Sequence, residues 1–213
     1  MAKFNTFAVL EIGTSALLYF APTKLNANLV SAGTLNTLAV QYSTAVKWRE
    51  NLFKGYDLSK DHLRVYKDGN NVLVKHLDPA VITPEFLAKK QLVTMRGEYL
   101  YALEMYTMAP IIRTADLLDP SVLPFITDQL GKAKPEEGYY PNAIQEYAFI
   151  SGIETDTAYQ ELSMRVETVG LIRLRAQAIF DKYARMINIA TTKAECSLAL
   201  NKAHEERYMN ALV

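Results

Sequence analysis

The sequence predicts a mainly helical α+β protein: a small N-terminal part with β-hairpins, then a helical C-terminal part built on one long helix. Three observations predict it. From Thr155 to Ala190 there is no proline and one glycine. Over that span Tyr159, Leu162, Val166, Val169, Arg173, Ala176, Phe180, Tyr183, Ile187 and Ala190 recur at alternating steps of three and four, which is one face of a helix. In residues 62–77, Leu63, Val65, Val72 and Val74 alternate with polar residues on either side of Asp68-Gly69-Asn70-Asn71, the chemistry of a hairpin turn. Nearer the start, the apolar blocks 7–11 and 16–20 flank Gly13-Thr14-Ser15 and read as two strands around a turn.

In chain order, residues 21–33 read as polar and irregular. From Thr34 a helix is expected, with Leu35, Leu38, Tyr42, Ala45 and Leu52 on one face, Trp48 as a half-buried anchor near its end and Gly55 just past it. The hairpin 62–77 follows. Thr83-Pro84-Glu85 then opens a helix over 84–109 that Pro110 ends, rich in Phe86, Leu92, Met95, Tyr99, Leu100, Leu103, Met105, Tyr106 and Met108. Asp119-Pro120-Ser121 starts a short helix that Gly131 closes. KAKPEEGYYP, residues 132–141, holds two prolines and a glycine and is the expected connection between an N-terminal part, 1–131, and a C-terminal part, 142–213. A helix from Asn142 ends at Ser151-Gly152. The long helix follows, capped by Thr157 with Gln160 three residues on. Thr192 and Glu195 form a second capping box after a break near 188–192, and a last helix runs to about Asn210. Gly170, inside the long helix, suggests a close helix crossing.

Composition bounds the function. Of 213 residues half are hydrophobic, enough for a core. Lys and Arg number 23 and so do Asp and Glu, so the basic excess of a dedicated nucleic-acid binder is missing. The lone Cys196 excludes an internal disulfide framework and a cysteine zinc cluster. No stretch reaches the roughly 18 apolar residues of a membrane span. Glu11 interrupts the apolar stretch near the N-terminus and no small-x-small cleavage site follows, so the expectation is mature structure made in the cytoplasm.

No chemical constellation emerges, and no catalytic, cofactor-binding or metal-ligating residue is assigned. Glu11-Ile12-Gly13-Thr14-Ser15 resembles the phosphate-binding turn of actin-like ATPases, but no second Gly-rich phosphate loop follows. His62 and His76 end the two arms of the hairpin and are expected at the surface rather than on a metal. Glu98 and Glu104 lack the Glu-x-x-His partners of a di-iron bundle. His204-Glu205-Glu206 is not followed by the second histidine of a zinc protease motif. Ala148, Gly152 and Ile153 between two helices have helix-turn-helix spacing, which makes a DNA-binding regulator over 142–165 one alternative. Glu154, Asp156 and Glu161 in the first turns would repel the phosphates, so no specific nucleic acid is expected. An enzyme without a recognisable motif is the second alternative.

Residues 139–195 carry a Tyr-Pro start, a short helix ending in Ser-Gly, then Ala-Tyr-Gln-Glu-Leu, and later Ile-Asn with Thr-Lys-Ala-Glu. This quarter of the chain resembles the helical ends of tail and neck structural proteins of large tailed bacteriophages. The resemblance implies a non-enzymatic assembly subunit of a virion tail, baseplate or neck, with protein subunits as partners, itself or other virion proteins. No cofactor and no membrane partner are implied. The candidate partner-contact or core seam is Tyr159, Leu162, Val166, Val169, Arg173, Phe180, Tyr183 and Ile187.

Overall fold

The computed structural model describes residues 6–43, 52–58, 60–69, 71–107 and 122–211. It is mainly helical α+β, as the sequence predicts, with two small antiparallel sheets in the N-terminal part. The chain forms two compact units, Met1–Met105 with Phe180–Val213, and Tyr106–Ile179. The sequence expectation put a connection at 132–141; that stretch lies inside the second unit.

In the first unit, β1 (Thr6–Glu11) is central, between β2 (Leu17–Ala21) and β3 (Thr37–Ser43), both antiparallel to it. The turn between β1 and β2 puts Gly13 at φ +95° and Ser15 at φ +55°. Phe7, Ala8, Val9 and Leu10 are all buried, the continuous apolar run of a strand covered on both faces. The expected helix from Thr34 is therefore corrected over its described part. β1 needs a partner on each edge, and Thr37–Ser43 supplies one, pairing Val40 with Ala8. Leu35 and Leu38, placed on an inward helix face by the sequence, are exposed. Trp48 lies outside the described residues.

Residues 21–33 are also corrected: α1 (Lys24–Ala32) is a helix, its N-terminus capped by the Thr23 side chain, which accepts from the Asn26 N–H at 3.0 Å. Its inward face carries a buried polar residue, Asn26, whose Nδ2 donates to the Gly97 carbonyl at 3.0 Å. A polar residue at a core position hid the amphipathic pattern.

The hairpin is as expected: β4 (Leu63–Asp68) pairs with β5 (Asn71–His76), and Gly69 in the turn has φ +57°. Leu63 and Val65 join Ala8, Leu10, Leu17 and Phe53 in one apolar cluster. α2 (Pro84–Thr107) follows, with Thr83 accepting from Phe86 N–H at 3.2 Å. Its C-terminal neighbours 108–110 and the expected helix start at 119–121 are outside the described residues.

The second unit holds α3 (Leu123–Lys132), which continues through Gly131 instead of stopping there, and α4 (Asn142–Ser151). Between them Lys134 and Tyr139 exchange backbone hydrogen bonds and close the loop. Gly152 ends α4 in the left-handed region, φ +68°, and Ile153 N–H reaches back to the Ala148 carbonyl at 3.1 Å. α5 (Thr155–Ile189) begins before Thr157, which lies inside its first turn and caps nothing. α5 contributes residues to both units, and α6 (Lys193–Ala211) belongs to the first. The Thr192 box forms as expected: Glu195 N–H donates to Thr192 Oγ1 at 3.2 Å, and the Glu195 carboxylate accepts from Thr192 N–H at 3.1 Å.

Two glycines on helices give opposite expectations. A Cβ at Gly97 would stand 2.4 Å from the Tyr19 ring, whereas one at Gly170 would meet nothing within 4 Å, so Gly170 marks no helix crossing. Gly97→Ala is expected to destabilise by ~1–3 kcal/mol through overpacking. Gly170→Ala is expected to stabilise by up to ~1 kcal/mol, the helix-propensity difference. Urea midpoints of the two variants check both signs.

The Glu11 carboxyl is pushed up by burial. Hydrogen bonds from Lys89 and Thr14, both at 2.8 Å, and the Lys89 charge outweigh that and hold it below its ordinary 4.5. The stability this confers is complete above pH 4.5 and fades as pH falls through the lower folded value. Lys89→Met is therefore expected to be less stable than the parent at neutral pH, with the gap closing on acidification. Chemical denaturation across that pH range measures it.

Candidate functional site

The long helix was the sequence's candidate, and its two sides differ. On the seam, Leu162, Val169, Phe180, Tyr183 and Ile187 are buried, while Tyr159, Val166 and Arg173 are half-buried. In the second unit Leu162 packs in a cluster with Ile126, Tyr140, Ile144, Ala148 and Ala158, against which Tyr159 and Val166 also lie. Tyr140 donates its hydroxyl hydrogen bond to Asp156, and its ring lies 5.9 Å from that of Tyr159. In the first unit the Tyr183 hydroxyl donates to Glu206 at 2.7 Å, and Lys182 Nζ lies 2.6 Å from the same carboxylate. Burial, then that carboxylate, raises Tyr183 above its ordinary pKa, so it stays a protonated donor. Tyr159, Leu162 and Val166 are thus occupied within the second unit, and Tyr183 within the first.

The opposite side of α5 carries a second apolar row. Met164, Leu171 and Leu174 are 61%, 47% and 68% exposed, and Ala178 is exposed as well. Steps of seven, three and four residues put all four on one face. Sequence reading missed this row because the longer and more aromatic seam dominated the same helix. The signal was present, since Met164, Leu171 and Ala178 are seven residues apart.

Other places the sequence singled out are occupied by local structure. Glu11 of the actin-like stretch holds Thr14 and Lys89. His62 and His76 do not converge: the His62 ring meets Phe86 edge-on at 5.9 Å, and the His76 ring meets Tyr56 at 5.0 Å. Among the described residues no three potential ligands cluster around a metal position. Glu104 accepts from the Thr23 hydroxyl at 2.8 Å. Of the acids at the helix-turn-helix position, Glu154 and Asp156 are exposed, and Glu161 lies 3.9 Å from Arg165.

A cleft of about 690 Å³ in the first unit is lined by His62, Lys90, Gln91, Thr94, Glu98 and Lys193, among others. Lys90 Nζ donates to His62 Nδ1 at 3.1 Å. Burial lowers the Lys90 pKa; burial and then the Lys90 charge lower that of His62. The two groups satisfy one another, the ammonium donating to a neutral imidazole. No family model matches this chain, and neither a curated protein nor a solved structure matches it.

Charge on the seam should be intolerable. Phe180 is 1% exposed and Val169 5%, and an unpaired carboxylate there loses its hydration. The Val169→Glu, Phe180→Glu variant is expected to lose its cooperative thermal transition by circular dichroism, not merely its ability to associate.

Proposed function

We propose that this chain is a non-enzymatic structural subunit of a larger assembly, acting through helix packing and protein–protein contacts. The assembly we propose is a bacteriophage virion, at its tail, baseplate or neck, with copies of itself or other virion proteins as partners. The observation that carries the assembly reading is the exposed row Met164, Leu171, Leu174 on α5, behind a seam already used for the core. Scattered exposed apolar side chains are ordinary, but a row aligned on one helix face has a cost in water that a partner removes. The virion placement rests on the resemblance of 139–195. Acidic first turns on α5 favour a reading without specific DNA, and among the described residues no helix is long and apolar enough to cross a membrane.

Sedimentation velocity across a concentration series tests the reading. The parent is expected to sediment as more than a monomer, and Leu171→Glu, Leu174→Glu as a folded monomer. A parent that stays monomeric throughout would overturn it, as would a variant that associates like the parent.

A further inference from the structure

The geometry points to a specific partner for the exposed row: α5 of a second copy, antiparallel, about a two-fold axis through Leu171. This rests on the assembly reading and gives it a register. In an antiparallel two-fold pair, residues equidistant from the axis face each other. Leu171 then meets Leu171, and Met164 meets Ala178. Glu167 and Arg175 lie four residues on either side of Leu171, at equal and opposite angles around the helix. The pairing therefore brings each Glu167 level with the partner copy's Arg175 on the other flank of the contact, within reach of the long arginine side chain across it, twice per interface.

Both groups are available. Glu167 and Arg175 are exposed, and among the described residues neither has an ion-pair partner on its own chain. By contrast Glu161 on the same helix has Arg165 beside it, and Lys182 has Glu206. A parallel pair in register would set Glu167 against Glu167 and Arg175 against Arg175, so the charges select the antiparallel arrangement as well as permitting it. Leu174 meets Thr168, whose methyl group completes the apolar strip. The helix is continuous and without proline across the whole contact. The contact is short beside the ~1,200 Å² that stable interfaces usually bury, so an isolated pair should form at high protein concentration.

Charge reversal tests the register. Glu167→Arg alone sets arginine against arginine and Arg175→Glu alone sets glutamate against glutamate. Each is expected to weaken self-association at least tenfold by sedimentation equilibrium. An equal mixture of the two variants is expected to associate again, because each interface then holds two opposite-charge pairs. Leu171→Cys gives a second measurement: it should form a disulfide-linked dimer under mild oxidation, Cys196 being buried. Met164→Cys should not, unless Ala178→Cys is added. A mixture no better than its components, or Leu171→Cys that fails to cross-link, would overturn the pairing. If Leu171→Glu, Leu174→Glu abolishes association while the reversals leave it intact, the face is right and the register wrong. If the parent never associates, both readings fall.

Discussion

The first unit depends on one cation placed between two helix ends. Arg96, on α2, is 8% exposed; its Nε donates to the Ala190 carbonyl and its Nη1 to the Gly33 carbonyl, each at 3.0 Å. Gly33 caps α1 and Ala190 follows the last residue of α5, so the guanidinium sits where two helices present their unsatisfied carbonyls and partial negative charge. Arginine suits the place because its planar fork reaches two acceptors and it stays charged when burial opposes ionisation. Asn188 adds to the junction, its Nδ2 donating to Leu29 O at 3.2 Å. A Cβ at Gly33 would stand 2.4 Å from the Asn188 side chain, so only glycine lets α1 end this close to α5.

That junction explains why the long helix stops where it does. The Ala190 carbonyl is taken by Arg96, and just beyond it Thr192 Oγ1 accepts from the Glu195 N–H in the first turn of α6 while the Glu195 carboxylate accepts from the Thr192 N–H. A helix end held by an arginine and a helix start closed by a capping box turn the chain without a proline or glycine. Upstream, the same helix closes the second unit through Leu162 and its cluster. Leu162, with Tyr159 and Val166 beside it, is thus committed to packing inside the second unit, and Tyr183 to a contact inside the first.

Periodicity made most of the helical part legible. The seam, the Gly152 turn, the Thr192 box and the Asp68–Asn71 hairpin are local patterns whose physics operates within a few residues. The failures lie where a distant partner decided the outcome. Thr37–Ser43 fits a helical face as well as a strand, and the need of β1 for a second neighbour selects the strand. α1 was obscured because Asn26, at the centre of its buried face, answers to the Gly97 carbonyl 71 positions away. Arg96 carries no local signal of its role, since its acceptors at Gly33 and Ala190 are far off in sequence. Thr157 carried the right residue types for a cap but lies beyond the true helix start, where Tyr140 engages Asp156 instead.

The candidate site was legible as a helix but not as a face. A helix that buries one side usually turns charge and polarity to the other, and α5 does this only in part. Met164, Leu171, Leu174 and Ala178 make the outer row mostly apolar, with Glu167 set among them seven residues before Leu174 and Arg175 at the row's edge. The fold itself does not require those side chains, because the core is filled from the other side. Polar residues there would leave the packing of Leu162, Val169 and Ala176 untouched. An apolar row with charges placed symmetrically about Leu171, on a face largely turned away from the chain's interior, suits the helix contact we propose.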